Sequence, residues 1–110
     1  MKGWYSIGVT DTSRRPAAAE RVLIVEDDDA ARLGLTELVR TWGFTVDAAA
    51  DGEAALALVA SFHPTIIVSD LFMPRMDGLE LLKALGDELK DIRFILLTAQ
   101  GSVESAVDAL

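Results

Sequence analysis

Cysteine is absent from the 110 residues, and histidine occurs once, as His63. The first absence excludes disulfides, thiolate zinc sites and cysteine nucleophiles. With no thiolate and one imidazole, a metal site here must be built from oxygens, which suits magnesium or manganese. Basic residues are scarce: 10 Lys and Arg stand against 18 Asp and Glu, a net charge of -8. That balance argues against direct nucleic-acid binding, because phosphate contacts need a basic face. No apolar run is long enough to cross a membrane, and the start, Met1-Lys2-Gly3-Trp4-Tyr5-Ser6, has no signal-peptide core. The expected compartment is therefore the cytoplasm. What is present is a hydrophobic content of 51%, enough for one small domain with one core.

Residues 1–20 read as a flexible N-terminal tail, although Trp4, Tyr5, Ile7 and Val9 could form a short strand within it. Thr10-Asp11-Thr12-Ser13-Arg14-Arg15-Pro16 is polar and ends in a breaker. From Arg21 the pattern alternates strand and helix. Val22-Leu23-Ile24-Val25 is a continuous apolar run, as for a strand buried on both faces. Asp28 or Asp29 then caps a helix with Ala31, Leu35, Leu38, Val39 and Trp42 at helical spacing, and Trp42 is expected in the core. Phe44-Thr45-Val46 is a short second strand. Asp51 caps a helix that His63-Pro64 ends, since proline cannot continue it. Thr65 to Ser69 is a third strand. Asp77-Gly78 opens a helix with Leu79, Leu82 and Leu85 inward. Ile92 to Leu97 is a fourth strand reaching Thr98, and a last helix is expected over 103–110. Such alternation implies an α/β fold, a doubly wound parallel sheet with helices on both faces.

Two strands end on acids. One leads into Glu26-Asp27-Asp28-Asp29, the other into Asp70. Adjacent parallel strands bring such ends together, and carboxylates that close repel unless a cation neutralises them. Magnesium takes oxygens at about 2.0–2.1 Å and keeps several waters, which leaves room for a phosphate oxygen. Asp70 is the expected nucleophile, because the loop Leu71-Phe72-Met73-Pro74-Arg75-Met76 follows it and leaves space for an incoming group. Asp28 and Asp29 are expected to be helix caps. Thr98 is placed to hydrogen-bond a phosphoryl oxygen on Asp70.

These residues resemble the receiver domain of two-component response regulators. The resemblance rests on Val22-Leu23-Ile24-Val25-Glu26-Asp27-Asp28, on Asp70-Leu71-Phe72-Met73-Pro74-Arg75-Met76-Asp77-Gly78 and on Leu97-Thr98-Ala99. It covers 21–110 and implies a flavodoxin-like sheet. Counted from the Val22 strand, the implied order is 2-1-3-4, with the fifth strand and last helix absent from this chain. It implies that Asp70 accepts a phosphoryl group from a sensor histidine kinase and that magnesium, or manganese, is the cofactor. Asp27, Asp70 and the carbonyl of Phe72 would bind the ion directly, and Glu26 through a water. Thr98 would be the switch hydroxyl, and Phe72 and Gln100 would tune dephosphorylation. The stretch from Thr98 to Val107 resembles receivers of sigma-54-type enhancer-binding activators, so an output domain with ATPase and DNA-binding parts is implied on a longer protein. The family's lysine on the fifth strand would lie beyond Leu110.

The chain is thus expected to be a signalling phosphoacceptor and not a turnover enzyme. Two other readings compete. An aspartate-nucleophile phosphatase would need a second Asp at position 72, where Phe72 stands. A truncated, phosphorylation-independent interaction or dimerisation module, a homodimer among its forms, would use an edge along Phe94-Ile95-Leu96-Leu97 left open by the missing fifth strand, unless a tail strand from Trp4 to Val9 covers it.

Overall fold

A computed structural model describes residues 20–98, and residues 3–7 as backbone. Five strands and three α-helices are described in chain order. β1 is Gly3–Ile7, β2 Arg21–Val25, α1 Asp29–Thr41, β3 Thr45–Ala49 and α2 Gly52–Phe62. β4 is Ile66–Asp70, α3 Gly78–Leu85, and β5 Arg93–Thr98, with a 3-10 turn at Gly86–Asp91 before β5. The helix expected over 103–110 and Gln100 lie outside the described residues.

The sheet runs β3-β2-β4-β5-β1. Its first four members are parallel, in the order 2-1-3-4 counted from β2. β1 departs from the expectation. Gly3–Ile7, read from sequence as part of a frayed tail, is a strand that pairs antiparallel with β5, Gly3 facing Thr98 and Ile7 facing Phe94. The β5 edge, expected to be open unless a tail strand covered it, is covered by the chain itself, and the sheet is mixed. Satisfying the backbone groups of an exposed edge is reason enough for a nearby segment to add there.

Connection handedness distributes the helices. β2 to β3 steps one way across the sheet, whereas β3 to β4 and β4 to β5 step the other way. Right-handed crossovers then put α1 on one face and α2 and α3 on the other. Leu23, Val25, Ile67, Phe94 and Leu96 point to the α2/α3 face. There they form one buried cluster with Ala55, Val59 and Phe62 of α2 and Leu81, Leu82 and Leu85 of α3. In α3 it is Leu81 that joins Leu82 and Leu85 inside, while Leu79 is only partly buried against the cluster.

The other face carries Val22 and Ile24, fully covered, and Ile66, Val68, Ile95 and Leu97, half-buried. Among the described helices only α1 serves this face, lying over β2 and β3. Its apolar stripe is wider than the surface it meets. Trp42, expected in the core, is 61% exposed, and Leu38 is exposed as well. Periodicity located the stripe but not what the stripe would meet.

Local chemistry at the helix ends follows the sequence. Asp28, Asp51 and Asp77 each cap a helix through a side-chain oxygen, accepting from the N–H of Ala31, Ala54 and Glu80 at 2.8 Å. Glu80 returns a bond to the Asp77 N–H, a capping box. α2 ends on His63 at φ 54°, in the left-handed region, whose N–H still reaches Val59 O. A β-carbon there costs about 1–2 kcal/mol. His63→Gly removes that cost, offset in part by roughly 0.4–1 kcal/mol of extra freedom in the unfolded chain. Urea unfolding of His63→Gly is therefore expected to show a gain of about 0.5–1 kcal/mol. A loss of stability would contradict the strain assigned to this cap.

Candidate functional site

The register of the central strands builds the site. Val25 of β2 pairs with Ser69 of β4, so the next residues, Glu26 and Asp70, leave the sheet side by side. Glu26 extends the ladder toward β3, its N–H donating to Ala49 O at 3.1 Å. On the other flank Asp70 pairs with Leu97, which sets Thr98 one residue further along the same edge. Glu26, Asp27 and Asp70 each bring a carboxylate oxygen within 4.8 Å of the others. Glu26 is 1% exposed and Asp70 8% exposed, while Asp27 is open to solvent. Thr98 is buried at the end of β5.

Three carboxylates this close, two of them buried, repel strongly when ionised. An octahedral magnesium ion spaces its oxygens by about 4.2 Å at most, twice its bond length. Carboxylate oxygens gathered within 4.8 Å of one another are close enough to serve a single ion of this kind. The donors are all hard oxygens, so the residues present fit magnesium or manganese. Glu26 is held by its neighbours at more than one point. Its Oε2 accepts from the Asp28 N–H at 3.1 Å, and its carbonyl accepts from Arg32 Nη1 at 2.9 Å. Arg32 also pairs with Asp29 at 2.6 Å. Asp28 and Asp29 thus serve α1, as expected from sequence, and stand outside the acidic cluster.

The loop after Asp70 is held at both ends by backbone. The Leu71 N–H donates to Leu97 O at 2.9 Å, and the Gly78 N–H to Leu71 O at 3.0 Å. Gly78 is required for this closure, since a β-carbon there would stand 2.5 Å from Asp70 O and 2.9 Å from Leu96 Cδ2. Leu71 and Met73 tuck into the core, whereas the Phe72 side chain is 62% exposed. The loop's far side rests on α2: Arg75 pairs with Asp51, and the Gly52 N–H donates to Met76 O at 3.3 Å. Sequence reasoning gave Asp51 only a capping role and gave Arg75 none. A cation in the loop was visible, but its partner lies 24 residues upstream. A hollow of about 430 Å³ at the amino ends of β4 and β5, lined by Val59, His63, Thr65, Glu88, Asp91 and Ile92, includes none of the three acids.

Comparison with known proteins gives this edge its context. The family described as "Response regulator receiver domain" matches residues 22–110. The chain belongs to that family. Its receiver sequence is 41% identical over 90 residues to the response regulator MprA of Mycolicibacterium vanbaalenii, covering 82% of this chain and 39% of that protein. It is 40% identical over 93 residues to the regulatory protein AtoC of Escherichia coli, covering 84% and 20%. The chain therefore spans well under half the length of these curated relatives. Among solved structures, the receiver domain of Francisella response regulator 1452 superposes with a TM-score of 0.72 at 30% identity, covering 81% of this chain and 74% of that one. TrrA of Thermotoga maritima, solved in complex with Mg²⁺ and BeF, gives 0.71 at 34% identity, covering 78% and 75%.

Within this receiver, Asp51 carries a resolved electrostatic signature. The Ala54 N–H, then the Arg75 guanidinium, hold its carboxyl below its ordinary value of 3.8. A lowered folded-state pKa means that the carboxylate's contribution is fully present above the ordinary value and is lost as pH falls through the lowered one. Carboxyl NMR is expected to show Asp51 titrating below pH 3.8. In Arg75→Ala its midpoint should rise but stay depressed, because the Ala54 bond, the larger cause, remains. A wild-type midpoint at or above 3.8 would remove the basis for this anchoring.

Proposed function

We propose that this receiver accepts a phosphoryl group on Asp70 from the phosphohistidine of a sensor histidine kinase, with magnesium as cofactor. The observation that carries this reading is the meeting of Glu26, Asp27 and Asp70 at one sheet edge, with a loop rather than a helix directly after Asp70. The likeness to a receiver solved with Mg²⁺ and BeF supports it. Asp27, Asp70 and the Phe72 carbonyl would hold the ion directly and Glu26 through water, and manganese could substitute. When bound, the ion neutralises the carboxylates and the phosphoryl oxygens.

A carboxylate oxygen of Asp70 attacks phosphorus in line. The P–N bond to the kinase imidazole breaks as the O–P bond forms, and its electron pair returns to the ring nitrogen. The product is an acyl phosphate on Asp70. The Thr98 hydroxyl donates a hydrogen bond to a phosphoryl oxygen, which biases the end of β5 between two arrangements. The protein is thereby a signalling phosphoacceptor that assists its own modification, in the cytoplasm. We take residues 21–110 as the receiver unit, with Gly3–Ile7 added to its sheet edge as β1, and Phe72 and Gln100 as the side chains that tune loss of the phosphate. MprA and AtoC are much longer than the matched region. We therefore place the output, transcription through an ATPase or DNA-binding domain, on a longer protein. The rival reading as a homodimeric interaction module drew on an open β5 edge, and β1 covers that edge.

Acetyl phosphate with magnesium is expected to add one phosphoryl group to the intact chain, read by mass spectrometry. Chelation of the metal should abolish the gain, and Asp70→Asn should prevent it. An equal gain in Asp70→Asn would overturn the assignment. Thr98→Ala should still be phosphorylated, but without the shift in β5 amide signals that accompanies phosphorylation of the wild type.

A further inference from the structure

We propose that the Asp51–Arg75 pair is a strap that positions the loop carrying the Phe72 carbonyl and so sets the affinity of the site for a divalent cation. The proposal rests on the reading of Phe72 as a metal ligand given above. Neither Asp51 nor Arg75 belongs to the acidic cluster; both would act through the loop.

Four observations meet here. The loop is fixed at its ends by Leu71 and Gly78, but Phe72 lies in the span between them, exposed to solvent. That span touches down again at Arg75 and Met76, on the first turn of α2. The contact is close: a β-carbon on Gly52 would stand 2.6 Å from Met76 Cγ and 2.8 Å from Met76 O, so α2 must begin with glycine to let the loop sit there. Asp51 is a rigid anchor. Its Oδ1 accepts from the Ala54 N–H at 2.8 Å, its Oδ2 accepts from Arg75 Nη2, and its side chain is 9% exposed. Arg75 itself holds φ 66°. A non-glycine residue keeps such a backbone only where its surroundings over-determine it.

A plain surface ion pair is the competing account, since Arg75 is 66% exposed and isolated exposed pairs do little. The sign of the effect separates the two. Removing the Arg75 cation near an acidic site strengthens cation binding through charge alone. Releasing a strap weakens it, because the loop oxygen no longer waits in position.

The test is a Mn²⁺ titration of the unphosphorylated protein, followed by electron paramagnetic resonance at low ionic strength. Arg75→Ala is expected to weaken Mn²⁺ binding about tenfold, the scale of outer-shell changes at metal sites. Arg75→Lys should recover part of the loss. In an Asp51→Asn background, which keeps an acceptor for the Ala54 N–H, Arg75→Ala should add nothing further. Binding unchanged or tightened in Arg75→Ala would overturn the strap while leaving the phosphoacceptor reading intact. A wild type that binds no Mn²⁺, or binds it as well as Asp70→Asn does, would overturn both. Cooperative unfolding of each variant guards against global loss of the fold. If Arg75→Ala does not fold, Asp51→Asn decides through the amide shifts of Phe72 and Met73, which must move if the strap is real.

Discussion

Repulsion among three carboxylates is the constraint around which the carboxyl edge of this sheet is arranged. Glu26 and Asp70 are buried, and Asp27 joins them within 4.8 Å. Nothing in local chain preference would gather acids so closely. Parallel pairing of β2 with β4 does so, because Val25 faces Ser69 and the next residue of each strand is an acid. The cost of that gathering is carried by the fold. The hydrophobic cluster between the sheet and α2/α3 fixes both strands, and the register holds the Glu26 and Asp70 backbones side by side. Three carboxylates so placed are a set of hard oxygen donors that fits a divalent cation.

The surroundings of the cluster are built to hold position. Glu26 is tied at its N–H, its carbonyl and its carboxylate. Asp70 is followed at once by the Leu71–Leu97 bond and the tight closure at Gly78. The loop between is then strapped to α2 through Asp51 and Met76. Each attachment comes from a different element, so the geometry at Asp70 depends on α2 and β5 as much as on β4. Rigid support of this kind is what the proposed roles of Asp70 and the Phe72 carbonyl would need.

Much of this was legible beforehand where the signal is local. The caps at Asp28, Asp51 and Asp77 follow from one residue and the helix that begins after it. The acids at strand ends were legible because apolar runs stop on them. The exposure of Trp42 was not legible, since helical spacing cannot say how much of a stripe a sheet will cover. The Asp51–Arg75 contact was equally hidden. Each residue had a sufficient local explanation, and only the approach of the β4–α3 loop to α2 joined them.

The sequence by itself determined the four parallel strands, their alternation with helices, and the residues that meet at the carboxyl edge, because burial pattern, capping and strand-end acids are written within short windows. Tertiary structure decided how the sheet edge is closed. Gly3–Ile7 is marked in the sequence only as a possible short strand within a tail, and its antiparallel pairing with β5 supplies partners to the backbone groups of that edge. It also decided which face α1 leaves half covered and which cation braces the loop beside Asp70. These are long-range contacts, and their energies depend on neighbours that no local window of sequence contains.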